Sequence, residues 1–479
     1  MKDSVTIEIP EVGNFSECKI FRVPRRLRSL NEKAFTPQIV SIGPFHHGKK
    51  ELEGMESYKE KYCEKFLERT KTKKEELLSY TIKSKQSDKV KDTYAGTIKV
   101  INNFAEMILI DACFIFELFS RLDDENFKKD QDYILKTPWL LNTVAMDLIL
   151  LENQLPFSFL KNLYGEATKE SDNIKGDDCH DPKPRKVTEK KFHKSKFKSC
   201  FRNQSRDYNS DDLSKRGESS EPLINEGNKF LDLTVCFFHE VLGITADKDK
   251  EIEHFTDLVR LSWLPAERTE SEQELSEEKE KIKRHNHLYS ATKLDKAGLN
   301  FVLADSEKPV QPRLGDVRIS SGPWYKYIPR CRSCKQLELS QLKIEDSTEC
   351  LMRNVIALEH CLYPNHGYIC DYIYLMNELI DTAEDVELLV KKKIVKNLLG
   401  SSQDAADLVN KLCDEMMQPK FIHSYLCKTL DDFYEGCWNN NMATIRRVYF
   451  KDLWTFSSSV VGLCVFILTI IVTIQQLSK

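Results

Sequence analysis

The chain lacks the short strings that mark the common chemistries. It has no GxSxG, HExxH, GxxxxGK[ST] or GxGxxG, and so no signature of a nucleophile elbow, a two-histidine zinc helix or a glycine-rich phosphate cradle. Residues 1–12 carry acids and no apolar stretch, so no secretory signal peptide is expected. Long runs of alternating apolar and polar residues are missing, which argues against a large sheet. No repeat of fixed period occurs. The fifteen cysteines are odd in number and show no framework spacing, so they read as reduced cytosolic thiols rather than disulfides. A net charge of −4 over 479 residues lacks the basic excess of a nucleic-acid binder, and no nucleic-acid partner is expected.

What is present is helical periodicity. With 41% hydrophobic residues the chain can build a core. Helices are expected over 52–82, 91–121 and 139–164, then over 230–242, in a segment ending at Leu264, and over 351–361, 368–380, 385–399 and 405–416. Short strands are expected near 18–45 and 299–345, with a helix in 291–297 closed by Gly298. The fold class read from this is mainly α with a few short β-strands, α+β. Residues 1–164 and 229–450 read as two parts of one cytosolic helical domain, separated by a disordered polar insertion at 165–228.

Residues 453–474 carry no charge. At about 1.5 Å per residue such a helix would cross a hydrocarbon core of about 30 Å. Arg446, Arg447 and Lys451 precede it. The expectation is a single C-terminal transmembrane helix, inserted after translation, in a tail-anchored single-pass protein whose N-terminal domain faces the cytosol. Plasma membrane and endomembrane are not distinguished.

The insertion holds a basic run: Lys183, Arg185, Lys186, Lys190, Lys191, Lys194, Lys196, Lys198, Arg202 and Arg206, with Glu189 as the one acid and Phe192, Phe197 and Phe201 interspersed. Three readings stay open. It is a solvated stretch, a contact for anionic lipid, or a nuclear-import or nucleic-acid patch.

The candidate functional loop is Gly43, Pro44, Phe45, His46, His47 and Gly48. Two imidazoles after a Gly-Pro turn could bind metal or exchange protons. Neighbouring side chains on an extended segment point apart, however, and a rigid loop whose histidines bond to the core is the plainer account. Cys331 and Cys334 form a lone CxxC; His360, Cys361, His366 and Cys370 are the only nearby candidates to complete a zinc site, without the usual spacing. Asp147 and Glu152 are five apart and share no helical stripe. A buried polar network joining Asp147, Glu152 and Asn153 to the basic segment starting at Arg22 fits better than paired-carboxylate catalysis. No catalytic residue, metal ligand or cofactor is assigned.

Several segments together resemble one plant family, domain of unknown function 247, also named uncharacterised protein family 0481. They are Ile20-Phe-Arg-Val-Pro24, Pro37-Gln-Ile-Val-Ser-Ile-Gly-Pro-Phe-His-His-Gly48, Met55-Glu-Ser-Tyr-Lys59, Asp111-Ala-Cys-Phe-Ile-Phe-Glu117, Asp147-Leu-Ile-Leu-Leu-Glu-Asn-Gln-Leu-Pro156, Ala291-Thr-Lys-Leu-Asp-Lys-Ala-Gly298, Arg353-Asn-Val-Ile-Ala-Leu-Glu359 and Asp385-Val386. They run in family order over nearly the whole chain. Where family members often have Asn-Pro-Trp, this chain has Asp452-Leu453-Trp454. The resemblance implies a membrane-associated protein with one C-terminal span and no established activity; some grass members lie at self-incompatibility loci. The reading is a non-enzymatic protein-interaction, recognition or signalling component with unknown protein partners. The alternatives are a membrane-bound enzyme using His46 and His47, and a nuclear factor using the basic insertion.

Overall fold

The computed structural model describes residues 17–96, 101–124, 127, 132–173, 226–245, 250–264, 288–304, 317–321, 335–416, 422–435 and 453–477. The basic run at 183–206 and the Cys331–Cys334 pair lie outside these residues.

Strand β1 (Ile20–Phe21) pairs in parallel with β2 (Tyr94–Ala95). Pro24 then starts helix α1 (Arg25–Leu30), because proline fits a helix entrance, where an N–H is not needed. The strands expected within 18–45 are therefore reduced to two residues, and 38–45 is a loop. The charged stretch expected as one helix is two, α2 (Glu53–Thr70) and α3 (Lys74–Lys83). Lys71 separates them in the left-handed region, φ 59°, where an α-helix cannot continue. After α4 (Gln86–Asp92) comes α5 (Phe104–Asp123), which starts later than its periodicity suggests because Asn103 is left-handed, φ 65°.

Helix α5 is the axis of the core. From Asp111 to Ser120 every side chain is buried, as expected of a helix apolar on all faces and enclosed by others. α2 packs along it. The helix expected over 139–164 is interrupted. After the short α6 (Tyr133–Lys136), α7 (Pro138–Leu148) ends before Glu152, and α8 (Phe157–Asn173) follows Pro156. The break is held by side chains. Asn153 Nδ2 donates to Asp147 O at 2.9 Å, and Gln154 Nε2 donates to Leu148 O at 2.6 Å and to Leu150 O at 2.7 Å. Asp147 O and Leu148 O belong to the last turn of α7, where intrahelical donors run out, and Leu150 O lies just beyond it.

Helices α9 (Glu226–Leu242) and α10 (Phe255–Trp263) return to the same core. Phe237 stacks on Phe119 with ring centroids 4.2 Å apart, and Phe230 meets Phe116 edge to face at 5.1 Å. Next come α11 (Ala291–Lys296), the turn at Gly298 (φ +99°) and β3 (Asn300–Leu303), as the sequence suggests. β3 runs parallel to β5 (Lys335–Leu339), which pairs antiparallel with β4 (Val317–Ser321). β6 (Leu342–Ile344) leads into α12 (Thr348–Leu362) and α13 (Tyr368–Leu379). The helix expected over 385–399 is α14 (Ala383–Lys391), which stops at left-handed Lys393 (φ 65°); the rest is β7 (Val395–Asn397), parallel to β6. α15 (Ser402–Leu412) and α16 (Ser424–Glu435) finish this part. Among the described residues the fold is mainly helical with three small sheets.

A last helix, α17, spans Leu453–Leu477. Among the described residues no helix is long and apolar enough to cross a membrane. The expected transmembrane anchor is corrected accordingly, and with it the tail-anchored, single-pass placement facing the cytosol.

Candidate functional site

Residues 38–43 contain five N–H groups and two carbonyls of the kind that an ordinary strand would pair with a neighbour. Here side chains take their place. The Asp147 carboxylate, at the end of α7, accepts the N–H groups of Gln38 at 2.9 Å, Ile39 at 2.7 Å and Val40 at 2.9 Å. Asn153 Oδ1 accepts Ile42 N–H at 2.7 Å while its Nδ2 donates to Val40 O at 3.0 Å. Asp111 Oδ2, on α5, accepts Gly43 N–H at 2.8 Å. A buried main-chain donor must find some acceptor, and this loop finds three residues: one at a helix end, one in a turn and one in the middle of α5.

Lys59 completes the set. It is fully buried on α2 and donates to Ser41 O at 2.9 Å and to Asp111 Oδ1 at 2.6 Å, with Glu56 Oε1 at 2.8 Å. These carboxylates hold the ammonium charged and push its pKa up, against the opposing effect of burial, the largest single influence. The sequence reading passed over Lys59. A signal existed, since Met55, Lys59, Tyr62 and Phe66 fall on one helical stripe whose other members are buried apolar groups.

The loop turns at Gly43, φ +71°. A Cβ there would lie 2.5 Å from Gln154 O and 2.8 Å from the Tyr94 hydroxyl, which itself donates to Gln154 O at 2.6 Å. Pro44 and Phe45 are buried. The Phe45 ring meets Tyr94 edge to face at 5.2 Å and carries the Arg22 guanidinium 4.2 Å above its centre. Gly48, also left-handed at φ +75°, stands in open space.

The two histidines differ. His47 is half-buried, whereas His46 is 2% exposed. Neither ring nitrogen of His46 makes a hydrogen bond among the described residues, and its Nε2 lies 3.6 Å from Glu152 Oε2. Glu152 is engaged elsewhere. It accepts Val23 N–H at 2.7 Å, pairs with Arg28 at 2.6 Å and faces Arg22 at 3.9 Å. Burial, reinforced by Lys49, Arg28 and Arg22, pulls the His46 pKa down from 6.5 to about 3, because a cation in that place would be stripped of water beside other cations. His46 is thus a neutral imidazole at physiological pH. His46 and His47 are neighbours in the chain, and His46 alone of the two is sealed from solvent. Glu152 does join the basic segment starting at Arg22, as the sequence suggests, while Asp147 and Asn153 hold residues 38–42 instead.

The polar residues of the later motifs repeat this arrangement. Asn354 Nδ2 donates to Ala34 O at 2.7 Å and its Oδ1 accepts Leu151 N–H at 3.0 Å. Glu359 accepts Arg260 Nε and Cys370 N–H, both at 2.9 Å, and Ile369 N–H at 3.0 Å. Asp385 accepts Thr292 N–H at 2.8 Å and Thr382 N–H at 3.0 Å, and so fastens α11 to α14. His360, Cys361, His366 and Cys370 lie near the end of α12 and start of α13, and among the described residues no three His, Cys, Asp or Glu side chains gather to hold a metal. Burial pushes the Cys361 thiol up to about 12 and raises that of Cys370, which leaves both unreactive as nucleophiles.

A family profile described as a plant protein of unknown function, DUF247, matches residues 20–468. The UPF0481 protein At3g47200 of Arabidopsis thaliana is 25% identical over 483 positions, covering 96% of this chain and 86% of its own. A second Arabidopsis UPF0481 protein, At3g02645, is 24% identical, covering 91% of this chain and 85% of its own. No solved structure matches. With a match that takes in every motif from Ile20-Phe-Arg-Val-Pro24 to Asp385-Val386, the chain belongs to the DUF247 family of plant proteins of unknown function.

Proposed function

We propose that this chain acts by binding another protein, in recognition or signalling, and not by catalysis. The observation that supports this reading most is the employment of the motif side chains. Asp111, Asp147, Glu152, Asn153, Asn354, Glu359 and Asp385 all hold main-chain groups in place. Carboxylates already filled by backbone donors are poorly placed to accept a proton from a substrate.

His46 fits the same reading. A general base works best with a pKa near the working pH, and His46 sits at about 3, almost without solvent contact. The product of these motifs is a rigid frame that fixes the outer surface, which is what a recognition module needs. The test is isolation of cross-linked complexes from plant tissue with the native chain and with His46→Gln. A partner recovered at equal stoichiometry with both supports binding. A substrate consumed by the native chain and untouched by the variant overturns it.

A further inference from the structure

At the end of α14 the chain reads Val390-Lys-Lys-Lys-Ile-Val-Lys-Asn-Leu398. Four lysines occur here without an acid. Ile394 and Val395 turn inward and are buried; Val390, Lys391, Lys393, Lys396 and Leu398 are exposed. The alternation of a strand puts Leu398 on the face that carries Lys396, and Leu398 N–H donates to Ile344 O at 2.8 Å, which seats it beside β6. On β6, Lys343 stands directly opposite Lys396 in the register.

Structural causes explain part of this charge. The C-terminal end of α14 carries about half a negative charge from its peptide dipoles, which favours a nearby lysine. Lys392 faces Asp295 at 3.5 Å and Asn300 Oδ1 at 3.2 Å, and Lys343 pairs with Glu345 at 2.5 Å. Lys391, Lys393 and Lys396 have no ion-pair partner among the described residues. Like charges opposite each other on a sheet cost stability, and Lys343 facing Lys396 brings no internal gain. Val390 and Leu398, 39% and 51% exposed, are among the few large apolar side chains that the described globular part leaves in solvent.

We propose that this lobe, formed by β6, β7 and the end of α14, is a docking surface for an acidic protein segment carrying a large aliphatic side chain. The lysines supply attraction and the two aliphatics supply apolar area to cover. A peptide fits better than a bilayer. Glu345, Asp346 and Glu387 border the lysines, and a continuous anionic surface would press against these acids, whereas a narrow peptide avoids them. A nucleic acid is disfavoured because the lobe offers neither arginine for paired hydrogen bonds nor an exposed aromatic ring for stacking. The proposal rests on the protein-binding reading and names the surface and the chemistry of the partner.

The test uses the full chain, a fluorescent peptide of about a dozen residues made of glutamates with two leucines, and the same peptide with serine for leucine. Saturable binding is expected, weakened about tenfold by K391E/K393E/K396E and severalfold by Leu398→Ser or by the serine peptide. All four positions are exposed, and unchanged circular dichroism checks that the variants fold. Absence of saturable binding, or equal affinity of all variants, overturns the proposal while cross-linked complexes still decide the broader reading. Phosphatidylserine vesicles or single-stranded DNA binding more tightly than the peptide and displacing it also overturns it.

Discussion

The Asp147 carboxylate accepts Ile39 N–H at 2.7 Å across 108 residues of sequence. Gln38 and Val40 donate to the same group, so three consecutive peptide units converge on one buried carboxylate. Burial raises the Asp147 pKa from 3.8 to about 6, against the pull of those three donors.

Replacing Asp147 by Asn leaves one acceptor oxygen and adds an NH2 that faces N–H groups. A loss of about 1–3 kcal/mol is expected for an unsatisfied buried group, read as a lower urea midpoint. The pH dependence has a definite sign. A carboxyl whose folded pKa is raised contributes most below pH 3.8, and that contribution is lost as pH rises through about 6. The Asn variant should lack this component. An unchanged pH–stability profile would contradict the assignment.

His46 should act in the opposite direction. Its pKa falls from 6.5 to about 3 on folding, so its contribution is complete above pH 6.5 and is lost as pH falls toward 3. The total is a few kcal/mol at about 1.4 kcal/mol per unit. His46→Gln should be less sensitive to acid between these limits than the native chain. Urea titrations at a series of pH values measure it.

Two glycines of one loop should respond differently to alanine. At Gly43 a Cβ would strike Gln154 O, whereas Gly48 has nothing within 4 Å. Both are left-handed, which costs about 1 kcal/mol for a residue with a side chain. Gly48→Ala should cost about that much. Gly43→Ala should cost about 2 kcal/mol or more beyond it, because the obstacle is backbone in a packed core. Thermal unfolding of the two variants side by side decides this.

Lys59→Met should be among the most damaging changes on α2. Lys59 and Asp111 have side chains only 1% exposed and lie 2.6 Å apart. Removing one partner leaves the other charge buried and unpaired, at a cost of about 3–5 kcal/mol. Exposed Lys65→Met, on the same helix, should change stability by less than about 0.5 kcal/mol. Equal effects at both positions would refute the buried pair.

The sequence shows α5, α12 and α13 because their apolar residues recur at helical spacing over many turns. It shows the turn at Gly298 because glycine there has one common reason. It does not show the breaks at Lys71 and Asn103, since lysine and asparagine carry little warning that their backbone is left-handed. Residues 38–45 read as a strand because Ile39, Val40 and Ile42 are typical strand residues. Their N–H groups go to Asp147, Asn153 and Asp111, and that choice of acceptor rests on contacts far away in sequence. The loop holding His46 is visible in the sequence; that its ring finds no hydrogen-bonding partner among the described residues is not, because that depends on where Arg28 and Glu152 meet. The uncharged stretch at 453–474 is the clearest signal in the sequence, yet among the described residues no helix is long and apolar enough to cross a membrane.

The long reach of these side-chain contacts sets a schedule for synthesis. Ala34 O waits for Asn354 Nδ2, which is 320 residues later, and Val23 N–H waits for Glu152, 129 residues later. At about 5–20 residues per second on the ribosome, the first of these contacts cannot close for about 15–60 s after Ala34 has been made. Throughout that interval Val23, Leu27 and Phe35, apolar side chains that pack with Ala357 and Leu358 in the finished fold, have been made without those partners. A nascent chain of this protein therefore offers a folding chaperone its binding site early and withdraws it only when α12 is complete.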